Sequence, residues 1–156
     1  MKDTNKYLYL IFSVLGFIFL RSSWGKITGG SFVDSLAGTL GKFASKNPHP
    51  FYKDFLENVA IPNSTIFGTL TMWGELFAGG AILFSCVYLL FKPGQKPMYV
   101  LLMTGLLVGA FLNAIFWFAS AWTSPSTDGL NLVMFATQVI GFCFIRQLFI
   151  GKMRNG

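Results

Sequence analysis

The sequence predicts an all-α integral membrane protein, a four-helix bundle with an amphipathic helical segment in its first extracytoplasmic loop. Three observations carry this. Hydrophobic residues make up 53% of the 156 positions and charged residues only 12%, half of the roughly 25% found in an average soluble domain. There are 18 Phe, more apolar surface than a soluble fold of this size can hide. Four apolar stretches reach the ~20 residues that a bilayer-crossing helix needs. None shows the period-2 alternation of a strand. The same composition excludes intrinsic disorder and a disulfide scaffold. Cys86 and Cys143 lie inside apolar runs without C-x-x-C spacing and say nothing about redox compartment.

The whole chain reads as one domain. The spans run over about 7–24, 65–91, 98–122 and 130–150. Lys92-Pro93-Gly94-Gln95-Lys96-Pro97 is a short turn that makes the second and third spans antiparallel neighbours. Thr123-Ser124-Pro125-Ser126-Thr127-Asp128-Gly129 reads as another tight polar turn before the fourth. Lys2 and Lys6 ahead of an apolar run resemble a signal peptide. Arg21, however, stands where a small-x-small cleavage site is expected, so the first stretch reads as a retained span.

Charge sets the expected orientation. The net charge is +6, and in a chain of this kind the excess marks lipid headgroup contact and topology rather than nucleic acid. Lys2, Lys6, Lys92, Lys96, Lys152 and Arg154 share one side, with Arg146 just inside it. Lys26, Lys42, Lys46 and Lys53 are diluted along the long first loop. The positive-inside rule therefore places both termini in the cytoplasm of a multi-pass inner or plasma membrane protein.

Residues 25–63 are too many for an idle connection in a compact bundle. Ser31-Phe32-Val33-Asp34 resembles a capping box with Asp in place of Glu. Phe32, Val33, Leu36, Leu40 and Phe43 then recur at helical spacing, opposite Asp34, Thr39, Lys42 and Lys46. Asn47-Pro48-His49-Pro50 breaks the chain. A second amphipathic turn follows, with Phe51, Tyr52, Phe55 and Val59 on one face and Lys53, Asp54 and Glu57 on the other. Pro62-Asn63-Ser64 starts the second span. An interfacial helical loop over 31–60 that covers the outer mouth of the bundle is the expectation.

Ionisable groups inside a span are expensive and mark functional candidates. Arg21, Glu75, Asn113, Trp117, Asn131 and Gln138 all converge on the outer half. Gly68, Met72, Glu75 and Gly79 form one stripe of the second span, and Gly105, Gly109, Asn113 and Trp117 one of the third. Small residues allow close helix approach, which directs these stripes inward. Glu75 then pairs with Arg21 or Lys26. Two readings stand: a structural ion pair that fixes helix register, or a polar pocket lined by Trp24, Trp73, Trp117 and Trp122 that accepts a flat redox-active ring. Tryptophan also gathers at membrane interfaces for ordinary reasons.

Some chemistry is missing. The single histidine, His49, stands in a loop between prolines. It reads as a surface or interface residue, with proton acceptor at the lid as the alternative. Bis-histidine haem ligation within the chain is impossible, and no His, Cys or carboxylate cluster has metal-ligand spacing. Gly29-Gly30 lacks the Lys-Ser/Thr context of a phosphate loop. Chemistry here calls for a diffusible ligand, a partner subunit or both.

Several pieces together resemble the DoxX/DoxD family of small four-helix membrane proteins. They are Gly16-Phe17-Ile18-Phe19-Leu20 with Trp24-Gly25-Lys26-Ile27-Thr28; Asn47-Pro48 with Phe51-Tyr52, Phe55-Leu56, Val59 and Pro62-Asn63; and Gly74-Glu75 with Gly79. The resemblance spans most of residues 16–85. DoxD is similar to the membrane subunit of thiosulfate:quinone oxidoreductase, which oxidises thiosulfate to tetrathionate outside the cytoplasm and reduces membrane quinone. It implies a membrane quinone, which the outer-half pocket would receive; the residue inventory above leaves no haem or metal to be expected. Lys26 and Arg21 would attract an anionic substrate or stabilise a reduced quinone oxygen, and Glu75 would relay protons. Asn113, Asn131 and Gln138 would bond quinone carbonyls while tryptophans stack. It also implies a second small redox subunit, absent from this chain. A non-enzymatic accessory or assembly subunit of a larger respiratory complex is the alternative. A solute carrier is a third, and would need a homo-oligomer.

Overall fold

The computed structural model describes residues 2–154 and the side chains of residues 5–153. Lys2 and Arg154, used above in the charge argument, have side chains outside that range. Six α-helices follow in order: α1 Lys2–Gly29, α2 Phe32–Lys46, α3 Pro50–Phe55, α4 Ser64–Phe91, α5 Lys96–Ser120 and α6 Pro125–Arg154. A wide-turned π segment, Leu56–Ala60, extends α3, and a 3-10 turn, Ala121–Thr123, extends α5. No strand occurs among the described residues. Four of the helices, α1, α4, α5 and α6, are long and apolar enough to cross a membrane.

Backbone chemistry explains the breaks. Gly30, at φ +68°, takes the left-handed position that stops α1. Asn47 precedes a proline and is extended, at φ −73° and ψ 121°, which ends α2. Gly94, at φ +102°, turns the chain between α4 and α5.

In the bundle α1 packs on α4, α4 on α5 and α5 on α6. Between apolar helices in lipid there is little hydrophobic force, so close packing must hold them. The tightest crossing is Gly16 on Gly79. A Cβ on Gly79 would meet the Gly16 carbonyl oxygen and the Leu20 amide nitrogen at 2.8 Å each. Phe12, Phe19, Ile82, Leu89, Leu102, Leu106 and Ile145 fill the centre. The outside is apolar too: Val14, Phe17, Leu70, Phe84, Phe111, Val133 and Ile140 are all exposed. Water would not tolerate such a surface on a monomer; acyl chains would.

At the end away from the termini, α2, α3 and the π segment form a lid. Leu36, Leu40, Ala44, Leu56 and Ala60 are buried there in a second core that includes Ala119 of α5. Val33 and Leu36 sit against Gly68, one turn into α4.

Four expectations are corrected. The first helix does not stop at Trp24 but continues to Gly29, which puts Lys26 on a helix rather than in a loop. Ser31 makes no side-chain cap; its carbonyl accepts from the Ser35 amide instead, at 3.0 Å. Phe51, in the first turn of α3, and Val59 are exposed; the wide turn closed by Ile61 N–H on the Leu56 carbonyl brings Ala60 inside in place of Val59. The turn ahead of the fourth span is much shorter than residues 123–129. Ser124 Oγ accepts from the Thr127 amide at 3.2 Å, Pro125 begins the helix, and Asp128 lies in its first turn.

The Gly16–Gly79 contact gives a sharp test. Gly79→Ala should destabilise the folded protein in micelles by about 1–3 kcal/mol, because backbone atoms cannot yield. Gly80→Ala, with open space around its Cβ, should be neutral or stabilising by up to about 1 kcal/mol. Denaturant titration of both variants reads the difference.

Candidate functional site

Glu75 lies eleven residues into α4, about 16 Å from its start at the helical rise. Its side chain is buried, with 2% of its surface exposed. One carboxylate oxygen, Oε1, pairs with the Lys26 ammonium. The other, Oε2, is buried without a hydrogen-bond partner. The Lys26 ammonium also donates to Ser22 Oγ at 3.2 Å and lies over the Phe32 and Phe116 rings, at 4.9 and 5.7 Å from their centroids. A cation so placed meets one charge, one hydroxyl and two aromatic faces.

The pair forms part of the wall of a cavity of about 670 Å³ between the lid and the bundle. Its lining is largely aromatic and aliphatic, with Phe32, Phe43, Tyr52, Phe55, Phe67 and Phe116 prominent. Thr39, Thr71, Ser120 and Asn131 are its further polar points. It reaches the outside at Ser22 and Phe51, lining residues that are themselves exposed.

Of the residues anticipated from sequence, Lys26, Glu75 and Asn131 meet in this chamber. Asn131 Nδ2 donates to the Thr127 carbonyl at 2.8 Å, which leaves its carbonyl oxygen and one N–H for a ligand. The others go elsewhere. Arg21 is exposed and forms no ion pair with Glu75. It is five residues from Lys26, hence about 140° around the helix, and both cannot face Glu75. Trp24 and Trp73 are 65% and 55% exposed. Each stands two residues, about 200°, from Lys26 or Glu75 and so points away from the chamber.

Asn113 and Gln138 are buried against each other. Asn113 Nδ2 donates to Gln138 Oε1 at 2.9 Å and to the Gly109 carbonyl at 3.1 Å. This clamp joins α5 to α6 and does not line the chamber; Gln138 Nε2 has no partner. Trp117 donates its indole N–H to Asp128 Oδ1 at 2.6 Å, tying the end of α5 to the start of α6. Its ring packs on Trp122 at 5.7 Å, and His49 meets Trp122 edge-on at 4.9 Å. These aromatics fasten the rim of the lid rather than line the pocket.

Donors from the lid also reach carbonyls in the last two turns of α5. Asn47 Nδ2 donates to the Phe118 carbonyl at 2.8 Å, and the Tyr52 hydroxyl donates to the Ile115 carbonyl at 3.2 Å. Sequence reasoning placed Tyr52 on the amphipathic face but not in the site. It also missed Thr71 and Phe67, although Thr71 lies one turn and Phe67 two turns before Glu75. The signal available was helical spacing from the charged residue.

Comparison of the chain with family models, with curated proteins and with solved structures found no match.

Burial pushes the Tyr52 phenol up to about 12 from its ordinary 10.0. Its folded pKa therefore lies above the unfolded one, so its contribution to lid stability is full below pH 10 and lost as pH rises towards 12. Thermal unfolding of the wild type should fall across that window. Tyr52→Phe should flatten this component and, at neutral pH, cost about 1 kcal/mol for the lost hydrogen bond. Identical pH profiles for the two proteins would contradict this.

Proposed function

We propose that this chain is the membrane subunit of a quinone-linked oxidoreductase, of the kind its resemblance to the DoxX/DoxD family implies, and that the chamber under the lid receives the quinone ring. One observation carries the reading: an aromatic chamber of about 670 Å³ contains an ion pair with one carboxylate oxygen unpartnered. Phe and Tyr faces suit a flat ring, and its polar edge needs a cation, a proton donor and a hydrogen-bond donor.

Each is supplied by a residue of this chain. Lys26 brings positive charge to the oxygen on which negative charge develops. Glu75 relays both protons through Oε2, the oxygen not committed to Lys26, taking each from water at the open side of the chamber and passing it to the ring. Asn131 turns its spare N–H towards a carbonyl of the ring. Forming the quinol takes two electrons and two protons. A reduced sulfur anion is the donor: two thiosulfates joined as tetrathionate release two electrons. A second small redox subunit or larger membrane complex delivers them, with the lid facing the extracytoplasmic side.

Purification in mild detergent from quinone-containing membranes should retain stoichiometric quinone in the lipid extract. Glu75→Gln and Lys26→Met should each lower retention about tenfold, the effect of losing a charge-assisted hydrogen bond. Trp24→Phe and Trp73→Phe should leave it unchanged. A tightly bound protein with no quinone would overturn the reading in favour of an accessory subunit.

A further inference from the structure

The opposite end of the bundle carries a second, chemically different set of cavities. Among the charged residues of the sequence, Lys2, Lys6, Lys92, Lys96, Arg146, Lys152 and Arg154 belong to this end, with Asp3 as their only acidic counterpart. The remaining five basic residues, Arg21, Lys26, Lys42, Lys46 and Lys53, are matched by five acidic ones, Asp34, Asp54, Glu57, Glu75 and Asp128. Seven against one here and five against five there leave the whole net charge of +6 at the end that holds the termini and the α4–α5 turn.

Two adjoining cavities open at that end, of about 480 and 710 Å³, and they share Asn5, Tyr99 and Lys152. Lys96 lines the first and Lys6 the second. No carboxylate is among the described residues lining either. Lys96 and Lys152 have no ion-pair partner among the described residues. Lys152 sits against the turn between α4 and α5: its ammonium occupies the space that a side chain on Gly94, at φ +102°, would need. The same ammonium lies 5.9 Å from the Tyr99 ring centroid.

The floor is a buried pair of phenols. Tyr9 and Tyr99 are each 2% exposed, and the Tyr9 hydroxyl donates to Tyr99 Oη at 3.5 Å. The Tyr99 hydroxyl proton is then free to donate into the cavities that Tyr99 lines. Two ammonium groups, a phenolic O–H and the amides of Asn5 and Gln147 make a set rich in donors and without a negative charge. Leu89, Leu90 and Leu148 form the apolar wall beside it.

We propose that these cavities bind a phosphoryl group, with Lys96, Lys152 and Tyr99 as its ligands. Two sources share that chemistry: the headgroup of an anionic phospholipid and a soluble phosphate. The apolar wall fits the glycerol and acyl portion of the lipid. The site is some four helical turns from the quinone chamber and does not depend on it.

Native mass spectrometry of the protein in micelles tests this, with phosphatidylglycerol, phosphatidylcholine and inorganic phosphate added separately. Phosphatidylglycerol should be retained in preference to phosphatidylcholine. Lys96→Gln with Lys152→Gln should weaken it by about fivefold per lysine, the worth of one such charge near an anionic surface. Tyr99→Phe should weaken it several-fold. Lys42→Gln with Lys46→Gln, at the lid end, should change nothing. Inorganic phosphate bound with the same dependence on Lys96 and Lys152, and no preference between lipids, would uphold the phosphoryl site and assign it to a soluble ligand. Retention of both phosphatidylglycerol and inorganic phosphate by the Lys96/Lys152 double variant at the wild-type level, or equal loss in the Lys42/Lys46 control, would overturn it.

Discussion

The ion pair between Lys26 and Glu75 sets the condition that the lid end of the structure meets. A lone charge at bilayer depth costs about 2.5–3.5 kcal/mol on insertion scales. Both residues must therefore be reached by protein before lipid. The Gly16–Gly79 crossing does part of this. It draws α1 against α4 one turn below Glu75, so that the Lys26 stem can reach across. Ser22, Phe32 and Phe116 enclose the ammonium. The lid then roofs the pair, fastened by Asn47 and Tyr52 to the carbonyls at the end of α5. Glu75 Oε2 is left over from this enclosure, and the proposed quinone site rests on that surplus.

Much of this was legible before any coordinates. Run length alone placed the four spans. The Gly79 stripe aimed Glu75 inward, and the amphipathic spacing of Leu36 and Leu40 showed that the first loop had a buried face. What failed was angular bookkeeping. Residues four apart drift about 40° around a helix, so Trp117, twelve residues from Gly105, has left the stripe that Gly105 begins. Trp24 and Trp73 were drawn in by residue type, although their offset of two from Lys26 and Glu75 turned them to the outside. Asn113 and Gln138 were correctly placed inside but bond to each other across α5 and α6 rather than line the chamber, which spacing within single helices cannot show. The π turn after Phe55 has no signature in composition, and with it went the outward rotation of Val59.

The two ends of the bundle now separate by chemistry. The lid end balances its charges and encloses an apolar, aromatic chamber around one ion pair. The terminal end concentrates the entire positive excess beside two buried phenols and an exposed set of lysines. That polarity matches a helical bundle whose basic end rests at an anionic leaflet while its lid faces the other aqueous side.

The most direct test of the account is a double-mutant cycle on Lys26 and Glu75, with unfolding free energies measured in bicelles for Lys26→Met, Glu75→Leu and the pair together. A coupling of about 2 kcal/mol or more, with the double variant recovering most of what either single change loses, is the predicted result. Additive losses with no coupling would mean that the two groups do not hold each other at depth, and the chamber would lose its defining feature.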